Sequence, residues 1–217
     1  MRVSMTSQKD IFQASEGDAY FRRNQAALES RDYSADWICK RIAAFGNERL
    51  RILEIGCSDG SRLHYLSSKA GHDVTGIDPS AAAVEQATRR GVKALTGTAD
   101  ALPFTAGSFD VLIFGFCLYL CDDCDLFRIA AEADRVLADP GWLLIFDFEA
   151  RAPVYKPYHH RPGVWSRKMD YSSLFSWHPG YSLASYEKCH HSTLQWSDDA
   201  DEWVSLACLR KHGRSSS

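Results

Sequence analysis

The stretch Arg51-Ile-Leu-Glu-Ile-Gly-Cys-Ser-Asp-Gly60 limits the possible folds more than any other part of the chain. Residues 51–55 form a short, mostly apolar run, β-branched at Ile52 and Ile55, of the kind that fills a buried strand of a parallel sheet. Gly56 and Gly60 break the run, and Ser61 opens an amphipathic stretch that predicts a helix. A strand, a glycine turn and a helix N-terminus cradle nucleotide-like ligands. The glycines let backbone approach the ligand, and unpaired helical N–H groups face it. Glu54 argues against a pyrophosphate, which its carboxylate would repel, and for a ligand that carries a cation such as an amino group.

The rest of the chain repeats this alternation. Residues 18–30 and 37–45 predict two helices, the second with Ile38 and Ile42 at i, i+4. Strand 51–55 and helix 61–70 follow, then strand 73–78, helix 81–90 behind Pro79-Ser80, and strand 92–95. A loop over 97–104 leads to strand 109–114. Asp122 or Asp123 caps a helix that runs to Leu137, Asp139-Pro-Gly141 stops it, and strand 142–148 closes the series. Five strands alternating with helices predict an α/β fold with a doubly wound parallel sheet. Residues 151–180 are rich in Pro, His and aromatics and show no clear period. Residues 181–190 and 203–210 predict two more strands, an antiparallel pair at the sheet edge. A single domain follows: an N-terminal helical lid (1–48), a ligand-binding core (49–150), an acceptor-pocket insertion (151–180) and C-terminal strands (181–211). Residues 1–17 are polar and carry few apolar anchors, the first part of them predicting a mobile arm, and 213–217 predict a frayed tail.

Asp78 ends the second predicted strand, 22 positions after Gly56, where a carboxylate is placed to accept ribose hydroxyls. Glu54-x-Gly56-x-x-x-Gly60 at a strand end, followed by Asp78, resembles the opening motifs of class I methyltransferases that use S-adenosylmethionine (SAM). Gly97-Thr-Ala-Asp-Ala-Leu-Pro-Phe104 resembles that family's adenine loop, residues 108–114 its fourth motif, and Arg135-Val-Leu with Gly141 its fifth region. The seven-strand pattern resembles the family's Rossmann-like sheet. The resemblance covers residues 50–148 in the family's order and departs from it at Ser58, where the family has a glycine. It implies a SAM site: Glu54 near the amino group, Gly56, Cys57, Ser58 and Gly60 in the turn, and Asp78 with Pro79 at the ribose. Asp100, Ala101 and Leu102 would hold the adenine, Phe116 would border the methyl, and a helix carrying Tyr20 and Asn24 would close over it. S-adenosylhomocysteine (SAH) would be the product.

Competing readings start from the same residues. Gly56-Cys-Ser-Asp-Gly60 also fits the G-x-S-x-G nucleophile elbow of serine hydrolases, with Ser58 as nucleophile, but no His-Gly-Gly oxyanion segment lies upstream. Cys121-Asp-Asp-Cys124 with Cys189-His-His191 suggests zinc, but lacks a second properly spaced pair, so no metal is expected. A non-catalytic SAM-binding regulator or partner subunit would keep Glu54, Asp78 and Asp100 and lack turnover.

A hydroxyl acceptor needs its proton removed, and His159 and His160 follow the fifth strand, whose C-terminal end faces the ligand crevice in such sheets. Tyr155, Tyr158, Trp165, Tyr171 and Trp177 suit walls for a hydroxylated ring such as a sugar. The mostly apolar residues after the fourth strand, Gly115 to Tyr119, offer no N-P-P-Y segment for methylating a base or glutamine nitrogen. O-methylation of a small polar metabolite is the expectation. With 25 basic and 28 acidic residues the net charge is −3, which does not favour a nucleic-acid partner. No apolar run is long enough to span a bilayer, residues 1–13 lack a signal-peptide core, and seven scattered cysteines fit a reduced, cytoplasmic protein.

Overall fold

The computed structural model describes residues 7–213. Its centre is a seven-stranded sheet. In chain order the strands are β1 (Arg51–Ile55), β2 (Asp73–Asp78), β3 (Lys93–Thr96), β4 (Phe109–Gly115), β5 (Leu137–Phe148), β8 (Tyr181–His190) and β9 (Trp203–Lys211). Their spatial order is β3-β2-β1-β4-β5-β9-β8. The first five are parallel, and β9 runs antiparallel to both β5 and β8, which leaves β8 at the edge. The helices α4 (Ser61–Ala70), α5 (Ala81–Arg89) and α6 (Leu126–Val136) cross between the parallel strands.

Apolar side chains on the two sheet faces build two cores. Leu53, Ile55, Leu112 and Phe114 face one layer with α6, which contributes Leu126, Ile129 and Ala133 at helical spacing. Ile52, Val111 and Ile113 face the other, with Leu63 and Leu66 of α4 and Ile38 and Ile42 of α3 (Trp37–Ala43). Each fully buried Leu or Ile contributes about 1.5–3 kcal/mol. The order of these elements is the one the sequence predicts.

Three segments differ. Residues 7–17, to which the sequence gives no regular element, are ordered. They are helical as α1 (Gln8–Ile11) and a π-helical stretch, Phe12–Glu16, that runs into α2 (Gly17–Glu29). Ile11 and Phe12 pack on the core, while Gln8 and Glu16 are buried. These two apolar anchors are separated from the rest of the pattern and escape a periodicity search. The predicted arm's residues 1–6, and 214–217 of the tail, lie outside the described residues. The stop at Asp139-Pro140-Gly141 falls inside β5, because Leu137 already pairs with Phe109 and the ladder resumes at Val111–Trp142. Residues 151–180 do hold regular structure: a hairpin of β6 (Val154–Pro157) and β7 (Trp165–Lys168), then α7 (Ser173–Ser176). All seven cysteines are free.

Candidate functional site

A cavity of about 800 Å³ opens over the C-terminal ends of the parallel strands. Its floor is the glycine turn after β1. Gly56 has φ +76°, and a Cβ there would stand 2.8 Å from the Cys117 Cβ, so the turn must stay bare for backbone and ligand to approach. Ser58 adopts φ +50°, a left-handed conformation that costs a non-glycine residue about 1–2 kcal/mol. Its N–H donates to Asp78 Oδ2 at 2.9 Å, and the Ser80 N–H donates to Oδ1 at 2.9 Å. Burial pushes the Asp78 carboxyl up to about 6, and the two N–H donors pull against that rise. Each carboxylate oxygen keeps a second lone pair for a ligand hydroxyl.

Glu54 lines the cavity beside this turn, but it is not free. It is ion-paired with Arg62 from the first turn of α4, and Arg62 also reaches Asp36 at 3.2 Å. All three side chains are buried. Among the described residues Glu54 Oε2 finds no hydrogen-bond partner, which leaves one acceptor beside the cavity for a ligand donor. Asp100 also lines the cavity, and the Lys9 Nζ of α1 takes it at 2.6 Å while lying 3.2 Å from Asp125. Lys9 holds the Asp100 carboxyl below its ordinary value against the upward push of burial.

The structure gathers most of the residues singled out in the sequence. Tyr20, Asn24, Glu54, Gly56, Cys57, Ser58, Asp78, Pro79, Asp100, Phe116, His159 and His160 all border the cavity. Gly60, Ala101 and Leu102 do not. Gly60 serves packing, since a Cβ there would meet Ala87 at 2.8 Å. Ala101 is exposed, and the Leu102 N–H is spent on Glu132 Oε2 at 2.8 Å. His159 and His160 are exposed at the rim, with ring centroids 3.8 Å apart. The helix expected to close freely is already docked: Asp18 of α2 accepts from Ser80 Oγ at 2.6 Å and from the Ala82 N–H at 3.1 Å.

The other half of the cavity is aromatic. Tyr119 packs edge to face on Phe148, and Phe116, held at φ +55°, packs on the same ring at a tilt; the Tyr119 and Tyr20 hydroxyls meet at 3.2 Å. Burial raises Tyr20 to about 12 and Tyr119 well above its ordinary value, so both phenols stay neutral and are poor bases. Asp147, one residue before Phe148, accepts the Leu118 N–H at 2.8 Å and fixes the turn after β4. Sequence reasoning missed Lys9, Arg23, Arg62, Lys168, His191 and Glu202, which also line this cavity. His191 directly follows β8, which its pairing with β9 sets parallel to β5, so the two strands end at the same side of the sheet.

Two alternatives find no support in the geometry. Among the described residues, Ser58 is engaged through its backbone with Asp78, and no histidine hydrogen-bonds to it. Cys121 lies against the Cys117 carbonyl, Cys124 is exposed, and the described group of potential metal ligands close enough to share an ion is His190, His191 and Glu202, without a cysteine. No helix among the described residues is long and apolar enough to cross a membrane.

Residues 52–141 match the family model of a methyltransferase domain. A demethylmenaquinone methyltransferase of Lactococcus lactis is 30% identical over 131 residues, 55% of this chain and 51% of that one. An uncharacterized Mycobacterium tuberculosis protein is 35% identical over 105 residues, 48% of this chain. The match spans 33% of the mycobacterial relative's length and about half of the Lactococcus one. Among solved structures, a Methanosarcina mazei SAM-dependent methyltransferase superposes with a TM-score of 0.67 at 18% identity, covering 80% of this chain and 98% of that one. A Burkholderia thailandensis 1,6-didemethyltoxoflavin N1-methyltransferase with bound SAH superposes at 0.69 and 17% identity, covering 94% and 87%. These likenesses establish the shared fold.

Proposed function

We propose that this chain, whose residues 52–141 belong to the class I methyltransferase family, transfers a methyl group from SAM to a small acceptor. The observation that carries the reading is Asp78: a carboxylate at the end of β2, beside a bare glycine turn, aimed into a cavity large enough for a nucleoside and a second molecule. The residues present fit the cofactor. Asp78 would take the ribose hydroxyls, and the unpartnered Glu54 Oε2 suits a donor such as the amino group. Gly97 to Asp100 would border the adenine, with Lys9 giving up or sharing Asp100. When bound, SAM supplies an electrophilic methyl on a sulfonium. The chain's own work is to align the acceptor, exclude water and take up a proton.

The aromatic half of the cavity supports a hydroxyl-bearing ring as acceptor, and hence O-methylation of a small polar metabolite. Phe116 and Tyr119 follow β4 where a base- or glutamine-methylating site would present polar groups. His159 and His160 would bind the acceptor from the rim. Seven free thiols support a reducing, cytoplasmic setting, and the charge balance supports a small molecule over a nucleic acid. The test is methyl-labelled SAM incubated with the protein and a pool of small hydroxylated metabolites. Label should enter a small-molecule product and disappear with Asp78→Ala. SAM binding without any transfer would favour the regulatory alternative.

A further inference from the structure

The tightest acid–imidazole contact among the residues lining the cavity is not at His159 or His160. His191 Nδ1 lies 2.7 Å from Glu202 Oε2. Both residues line the cavity, in the connection between β8 and β9, and the His191 N–H donates to the Glu202 carbonyl at 2.8 Å, which locks the two together. The sheet explains the position. β8 runs parallel to β5, so His190 ends at the same side as Phe148, and the His191 ring stands 6.0 Å from the Phe148 ring. Phe148 in turn touches Phe116 and Tyr119, the aromatic wall.

We propose that His191, oriented by Glu202, is the proton acceptor for the hydroxyl that is methylated. The proposal rests on the methyltransferase reading above. A hydrogen bond from Nδ1 to a carboxylate puts the ring proton on Nδ1 and leaves Nε2 with a bare lone pair. Ser192 Oγ does not block it. That oxygen is 3.0 Å from Nε2 and 3.5 Å from Nδ1, and an atom on the Nε2 lone-pair axis would lie much farther from Nδ1 than this.

The charged groups around the ring suit the task. Glu202 balances the imidazolium that forms. Lys168 of β7 also lines this end, with its Nζ donating to the Asp201 carbonyl and standing 5.0 Å from the Phe148 ring centre. It favours an oxygen gaining negative charge. His190, stacked on His191 at 5.3 Å, has its Nδ1 engaged by the Ser192 N–H and presents no carboxylate. In the step, the acceptor O–H bond breaks, its proton goes to His191 Nε2, and the oxygen's electron pair forms the new bond to the methyl carbon. The carbon–sulfur pair returns to sulfur, giving SAH. The charge thus moves from sulfonium to imidazolium, and no oxidant or metal enters the balance.

The dyad can be read without knowing the natural acceptor. 4-Nitrocatechol is a hydroxylated ring whose visible spectrum changes on ionisation. It is titrated into the protein–SAH complex, buffered just below the ligand's own first ionisation. The wild type should bind it and convert it to the ionised spectrum. His191→Gln should bind it while losing about tenfold or more of the ionised fraction. Glu202→Gln should fall in between, while His159→Ala and His160→Ala should weaken binding of the probe without lowering the ionised fraction of what is bound. Ionisation that survives His191→Gln, ionisation lost in the rim variants instead, or no binding of the probe to the SAH complex would each overturn the assignment. Calorimetry of SAH alone separates the two levels: a wild type that ignores SAH removes the methyltransferase reading itself, and this proposal with it.

Discussion

The two halves of the cavity are built on opposite plans. The half over β1 and β2 is polar and local. Gly56, Ser58, Asp78 and Ser80 come from two consecutive strand–turn–helix units; the Ser58 and Ser80 N–H groups donate to the Asp78 carboxylate, and the Gly56 N–H to the Ile77 carbonyl beside it. The half over β4 and β5 is aromatic and assembled from distant segments: Tyr20 from α2, Phe116 and Tyr119 after β4, Phe148, Lys168 of β7, and His191 and Glu202 between β8 and β9. A ligand common to many acceptor reactions can be met by a fixed local cradle. A particular acceptor calls for walls drawn from wherever the chain can reach. Changes at three positions, Arg62, Asp78 and Ser58, would break that division, with effects that fall in that order.

The largest effect should come from Arg62, which sits under the polar half. Arg62→Met leaves Glu54 and Asp36 buried without their cation, and removing one partner of a buried pair costs about 3–5 kcal/mol. Urea unfolding should show the loss. A variant as stable as wild type would mean that Glu54 is held by something other than this pair. Asp78→Ala comes next. It removes an acceptor of charge-assisted hydrogen bonds, each worth about 1.5–3 kcal/mol, so SAH affinity should fall at least about tenfold while the melting transition stays cooperative. Retained affinity would move the ribose site elsewhere.

The same carboxylate sets a pH dependence. Burial holds Asp78 at about 6, above an unfolded aspartate near 3.9. The folded state therefore keeps a proton that the unfolded chain releases, and this group's contribution to stability falls as pH rises from about 4 to 6. Binding runs the other way. Ribose hydroxyls favour the ionised form, so SAH affinity should climb between pH 5 and 7, and Asp78→Asn should flatten that climb. Titration calorimetry across this range checks both. The smallest effect should be at Ser58. Ser58→Gly relieves a left-handed residue and should raise stability by up to about 1 kcal/mol with SAH binding kept. A loss of binding would give the Ser58 side chain a role the backbone geometry does not.

What the sequence disclosed follows the same division. The strand order, the glycine turn and Asp78 are legible because each is encoded within a few residues: a β-branched run, a turn that needs glycine, an acid at a strand end. The pairing of Glu54 with Arg62 and of Asp100 with Lys9 was not legible, since no local rule says which cation folds back on which acid. Leu102, expected at the adenine, has its N–H taken by Glu132 of α6, 30 residues later. The aromatic half was legible in part: Phe116 and Tyr158 line the cavity as expected. Tyr155, Trp165 and Trp177, expected as pocket walls, are exposed, whereas Phe148 and Tyr119 form the wall. His191 was hidden for a different reason: its relevance depends on β8 running parallel to β5, which only the pairing of both with β9 reveals.

The central claim is that the cavity over β1 and β2 is a SAM site held by Asp78. Isothermal calorimetry of the untagged protein with SAH, in parallel with Asp78→Ala, tests it most directly. The account predicts saturable one-to-one binding by the wild type, weakened at least about tenfold in the variant. Absence of heat with both SAM and SAH, or equal affinity in the two proteins, would contradict it.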